Sequence, residues 1–158
     1  MLIREIKKSD NAFLAKIIRD TFIEHDAPRQ GTVYSDPTTD FLFEYFQINK
    51  AICWVVELHN EVVGSCGIYP TEGLPSGNSE LVKFYIKPSA RGIGIGKALI
   101  NKCFESANEF GYSHIYLESL PMFSNAINLY NKLGFESLQN ALGNSGHTSC
   151  NIWMTKKL

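Results

Sequence analysis

The stretch Ala90-Arg91-Gly92-Ile93-Gly94-Ile95-Gly96-Lys97 limits the fold of this chain more than any other. It lies between two patterned segments. Ser79 to Lys87 reads as a strand that stops at Pro88, and Ile95, Ala98, Leu99, Cys103, Ala107 and Phe110 recur at helical spacing. Gly111 then stands where a helix C-terminus favours positive φ. A strand that turns through glycines into a long helix calls for an α/β layout. Such a helix start also presents unpaired N–H groups and a partial positive charge, and glycines let an anion approach them. Two phosphate loops are excluded by spacing. A Walker A loop needs glycine where Arg91 stands, and Ser or Thr where Ala98 stands. A dinucleotide fingerprint needs glycine at Lys97 or at Leu99, depending on its start. What remains is R-G-x-G-x-G, either an anion cradle or a plain tight turn.

The rest of the chain alternates in the same way. Met1 to Lys7 reads as a short strand. Ser9 or Asp10 can cap a helix whose face is Phe13, Leu14, Ile17, Ile18 and Phe22. Residues 25–37 hold two prolines and a glycine and read as a loop. A second helix is expected from about Thr38 to Gln47. Ala51 to Leu58 and Glu61 to Tyr69 form a hairpin around His59–Asn60. Residues 70–78 are a loop. After the glycine turn and its helix come a strand over 114–118, a helix over about 123–133, a strand from Phe135 and a last strand over 150–156. The order β-α-α-β-β-β-α-β-α-β-β gives a mixed sheet with a largely antiparallel front half.

Composition narrows the class. The chain has 158 residues, 44% of them hydrophobic, with 15 basic and 16 acidic side chains and a formal charge of −1. Such a chain can close a core as a single domain over residues 1–158. The charge balance argues against a nucleic-acid partner and, with the apolar content, against disorder. The longest apolar run, Ala51 to Val56, is far short of a membrane span, and the N-terminus lacks a secretory pattern, so a cytoplasmic location is expected. The four cysteines form no CxxC pair and are expected to be free thiols, and no His/Cys/Asp spacing suggests a metal site.

Residues 79–104, with Arg91, Gly94 and Gly96, resemble the acyl-CoA-binding motif of the GNAT superfamily of N-acetyltransferases. Ala126, Leu129, Tyr130, Gly134 and Phe135 are similar to a second family signature, A-x-x-L-Y-x-x-x-G-F, at a fitting distance. The element order agrees over essentially the whole chain. The resemblance implies a GNAT-like α/β fold of mixed α+β character, with a central, mostly antiparallel sheet flanked by helices. It implies acetyl-CoA as co-substrate, with no metal, and direct transfer of acetyl to a primary amine. The pyrophosphate would rest on backbone N–H groups of Arg91, Gly92, Ile93, Gly94, Ile95, Gly96 and Lys97. The pantetheine arm would run along the backbone of Phe84, Tyr85 and Ile86 like an added strand. That strand commonly bulges in the family, freeing an N–H to polarise the thioester.

Further roles follow from the same resemblance. Tyr130 matches the tyrosine whose hydroxyl approaches the CoA sulfur and acts as general acid. Glu80 matches a position used in some members as general base, with a solvated strand-start charge as the alternative. Glu118 is a second candidate, to hold the ammonium or serve as base, or simply an edge carboxylate. Phe123 stands where the family often has an asparagine, and Asn125 and Asn128 are expected on other helix faces. The acceptor site would draw on Tyr34, Phe41, Tyr45, His147 and Trp153. His147 either binds a substrate carboxylate, relays a proton or is a surface histidine. Few charges among these aromatics favour a small-molecule amine over a basic tail. A protein N-terminal or lysine acetyltransferase, and a non-enzymatic acyl-CoA sensor, are the competing readings. A homodimer is compatible with the resemblance.

Overall fold

A computed structural model describes residues 1–158. In chain order the elements are β1 (Leu2–Glu5), α1 (Asn11–Glu24), α2 (Leu42–Tyr45), β2 (Ile52–Leu58), β3 (Glu61–Tyr69), β4 (Asn78–Ile86), α3 (Ile95–Glu109), β5 (His114–Ser119), α4 (Ser124–Lys132), β6 (Glu136–Leu138) and β7 (Ile152–Lys157). The strands form one sheet in the order β1-β2-β3-β4-β5-β7-β6. Every neighbouring pair is antiparallel except β4 and β5. This is the mixed, mostly antiparallel arrangement expected. The β2–β3 turn follows from His59 and Asn60, which both take positive φ (49° and 64°) and so match the twist of the strands they join.

The core has two parts. One cluster packs Leu99, Ile100 and Cys103 of α3 against Val56, Cys66, Ile68 and Ile115 of the sheet. The other packs Leu14, Ile17, Ile18 and Phe22 of α1 with Leu42, Phe46, Cys53 and Val55. Phe13 was expected on that buried face but is exposed, because the stripe centred on Leu14 and Ile18 leaves it on the shoulder of the helix. Asp10 precedes α1 without capping it. Its carboxylate instead accepts from Arg4 at 2.8 and 2.9 Å and from the Lys7 amide at 2.7 Å.

The expected helix over Thr38–Gln47 is corrected. A 3-10 turn over Pro37–Asp40 and the single turn of α2 replace it, because Phe41 between them adopts φ −132°, ψ 43°, outside the helical region. Asp36 starts this segment by accepting from the Thr38 amide at 2.8 Å. Leu42 and Phe46 still reach the core, while Phe41 points outward. No helix is long and apolar enough to cross a membrane.

Two irregularities create the site. First, β4 and β5 pair over only three positions, Asn78↔His114, Ser79↔Ile115 and Glu80↔Tyr116. Beyond Glu80 the strands diverge, β4 staying with β3 and β5 with β7. Second, β4 carries a bulge. Between Gly67↔Val82 and Ser65↔Tyr85 it has one residue more than β3, and Lys83 takes φ +56°.

Candidate active site

The divergence opens a cavity of about 990 Å³ that runs from the start of α3 to the loops before β7. At one end, Gly92 and Gly94 adopt φ of 80° and 88°, which only glycine takes without strain. Gly94 precedes α3 with no side-chain cap, and the first amide to close a helical bond is that of Ala98, on the Gly94 carbonyl at 3.1 Å. The amides of Ile95, Gly96 and Lys97 therefore face outward unpaired. Gly96 is needed for space: a Cβ there would lie 3.0 Å from the Phe84 ring and 3.1 Å from Leu129. These free amides and the glycine-lined approach fit a pyrophosphate.

The structure separates the loop residues by task. Arg91, Gly92, Gly94, Gly96 and Lys97 border the cavity. Ile93 points into solvent and Ile95 into the core, so only their backbones can serve a ligand. The Arg91 side chain is tied down elsewhere. Its guanidinium bonds both carboxylate oxygens of Glu24 at 2.7 and 2.9 Å and the Ile86 carbonyl at 2.8 Å, anchoring the loop to α1 and β4. Phe84, Tyr85 and Ile86 line the adjoining wall.

Tyr130 reaches the same cavity from α4. Its ring packs on Phe84 and Phe135, with centroids 5.9 and 5.7 Å away. Burial pushes the phenol well above its ordinary value, so it stays protonated and able to donate. Phe123 stacks edge-on against Phe22 at 5.3 Å and also lines the wall. Asn125 borders the cavity too, contrary to the expectation that it faces away.

At the far end, Glu80 is 3% exposed and accepts a hydrogen bond from the Thr71 hydroxyl. Burial pushes its carboxyl up to about 7, against the lowering effect of Thr71, with the charge of Glu118 adding to the rise. Glu118 accepts from the Tyr116 hydroxyl and the Ser145 hydroxyl, each at 2.9 Å. His147 is no loose surface residue. Its Nε2 is 3.0 Å from Asp36 Oδ2, while Asp36 Oδ1 accepts from the Thr38 amide and hydroxyl. Tyr45 stacks on Tyr69 with centroids 4.1 Å apart, and both line the cavity.

Three expected acceptor residues lie outside this wall. Tyr34 packs behind Phe22, with centroids 6.0 Å apart and Arg29 over its ring. Phe41 is turned to solvent by its non-helical backbone. Trp153 sits in β7 opposite Glu118 in register, away from the cavity lining. Sequence reasoning missed Asp36, Thr71 and Lys83. Lys83 is 3% exposed, lines the cavity and sits on the bulge. The cysteines are free, and burial raises the thiol of Cys150, the one that borders the cavity, to about 12, so it is a poor nucleophile.

A sheet split between β4 and β5, an uncapped glycine turn facing the split, and a buried carboxyl and phenol inside it define an acyltransferase cleft. Residues 15–135 match the Acetyltransferase (GNAT) family, and the chain belongs to it. The chain is 37% identical to the uncharacterized N-acetyltransferase YjgM of Escherichia coli (strain K12), over 99% of this chain and 95% of that one. Its fold is similar to an acetyltransferase of the GNAT family from Staphylococcus aureus Mu50, at TM-score 0.86 and 21% identity, covering 99% and 98% of the two chains. It is also similar to yncA from Salmonella typhimurium, solved with its cofactor acetyl-CoA, at TM-score 0.76 and 19% identity over 100% and 94% of the two chains. The protein is thus an acetyl-CoA-dependent N-acetyltransferase.

Proposed function

We propose that the protein moves the acetyl group of acetyl-CoA to a primary amine of a small molecule by direct attack, within a single domain. The observation that carries this reading is the placement of Glu80 and Tyr130 on one cavity that begins at the free amides of α3. Those amides hold the pyrophosphate, and the β4 edge left unpaired by the split takes the pantetheine arm. Glu80, poised near 7, accepts the proton that an alkylammonium must lose before it attacks. Backbone amides at the β4 bulge stabilise the oxyanion as it develops. As the C–S bond breaks, Tyr130 gives its proton to the departing thiolate and is restored by the second proton that the amine nitrogen loses as the amide forms. Glu118, fixed by Tyr116 and Ser145, holds the ammonium before transfer. The high thiol value at Cys150 favours this direct route over an acyl-enzyme.

Tyr45, Tyr69, Tyr85 and Tyr130 line the cavity, and a recessed aromatic wall suits a small acceptor better than a folded protein surface. The test is thiol release from acetyl-CoA across a panel of small amines and peptides. Tyr130→Phe should lower kcat by about a hundredfold while acetyl-CoA affinity in a binding titration stays within about twofold. Binding of acetyl-CoA with no turnover on any amine, unchanged in Tyr130→Phe, would mark a sensor instead. Turnover restricted to peptides would move the acceptor to a protein N-terminus or lysine.

A further inference from the structure

We propose that Lys83 binds a carboxylate of the acceptor, so that the small amine acetylated here is an amino acid or a close relative bearing both groups. This deepens the small-amine reading and rests on it. The argument starts at the bulge. The extra residue in β4 puts Lys83 at φ +56° and turns its side chain to the side of the sheet that holds Tyr45 and Asp36. There the side chain is 1% exposed. Its Nζ makes no hydrogen bond within the protein. An ammonium has three N–H donors, and a buried site that leaves them unmet is destabilising unless a ligand supplies acceptors.

The neighbours of Nζ do not meet that need. Asp36 Oδ2 is 3.8 Å away, a charge contact beyond hydrogen-bond range. Asp36 already serves Thr38 and His147 with its two oxygens. Tyr45 offers a ring face 5.4 Å away, which attracts a cation but accepts no strong hydrogen bond. Glu80 is engaged by Thr71. The donors of Lys83 are thus unclaimed by the protein, and the residue lines the same cavity as Glu80, Glu118 and His147. A cation and carboxylates lining one cavity complement a zwitterion: the acceptor's carboxylate at Lys83, its ammonium at Glu80 and Glu118. A monoanion suits the site. A phosphate dianion would meet stronger repulsion from Asp36 and Glu118.

The test has a binding arm and a turnover arm. In the first, protein loaded with CoA is titrated with the N-acetyl forms of the twenty amino acids and with the corresponding N-acetyl amides. At least one acid should bind about tenfold or more tightly than its amide, and Lys83→Met should bring that ratio close to one. No preference for acid over amide anywhere in the panel, or a preference that survives in Lys83→Met, overturns the proposal. Lys83→Gln repeats the comparison if Met disturbs folding, with acetyl-CoA affinity as the check on the fold. In the second arm, matched amino acids and amino-acid amides are compared as acceptors. Amines acetylated with no distinction between acid and amide overturn the Lys83 assignment alone. A wild type that acetylates no amine in the panel overturns the small-amine reading, and the binding arm still decides Lys83.

Discussion

At Glu80, burial beneath Thr71 pushes the carboxyl up to about 7. A base poised there is ionised only above that pH, so kcat/KM should rise with pH through about 7. Glu80→Gln should lower kcat/KM by about 10²- to 10⁴-fold and remove that limb, read from thiol-release rates between pH 5.5 and 9. A limb that persists in Glu80→Gln would remove Glu80 as the base. The neighbourhood explains what was readable in the sequence at this scale. Glu80, Glu118 and Tyr130 were legible because each sits at a strand end or a motif position. Lys83 was not. Strict alternation sets it opposite Glu80, and only the bulge brings both to one wall. Asp36 was hidden for another reason: its partner His147 lies 111 residues away in sequence.

The glycine turn and the split strand pair act as elements rather than as single residues. Gly94 stands at φ 88° with nothing within 4 Å of where a Cβ would be, so its requirement is conformational and its surroundings are open to a ligand. Gly94→Asp should weaken acetyl-CoA binding on the order of tenfold to a hundredfold, because a carboxylate then faces the pyrophosphate. The same change should cost about 1 kcal/mol of stability from the left-handed backbone. Equal affinity for wild type and variant in a calorimetric titration would remove the turn from the binding site. Arg91 shows the limit of motif reading. Its type and position were plain in the sequence, yet its guanidinium clamps Glu24 and the Ile86 carbonyl. The loop is therefore held in shape by the side chain of a residue for which the motif predicts only a backbone contact. The segment around Phe41 shows the converse: a continuous apolar pattern implied one helix, but Asp36 and Pro37 start a tighter turn that ends one residue before α2.

For the whole molecule, buried carboxyls pull stability in opposite directions. At Asp10 and Asp36 burial acts to raise the carboxyl, but it is outweighed by Arg4 at Asp10 and by His147 and Thr38 at Asp36, and both are held below the ordinary 3.8. The stability they contribute is present above about pH 4 and is lost as pH falls into the acid range. Glu80 does the reverse. Its folded value of about 7 exceeds the ordinary 4.5, so its contribution is full below 4.5 and lost as pH rises through 7. Urea unfolding should therefore show a stability maximum near about pH 4 to 5, and Glu80→Gln should flatten the decline from there through about pH 7. A wild type equally stable at pH 5.5 and 8.5 would show that Glu80 is not desolvated as the structure has it. Local pattern was enough to determine the element order, the hairpin at His59–Asn60 and the glycine turn, because periodicity, turn chemistry and positive φ are written within a few residues of one another. The tertiary structure alone decided where β4 leaves β5, which way Lys83 points and which aromatic residues reach the cavity. Those depend on register and packing between residues far apart in the chain, and a single extra residue in one strand is enough to change them.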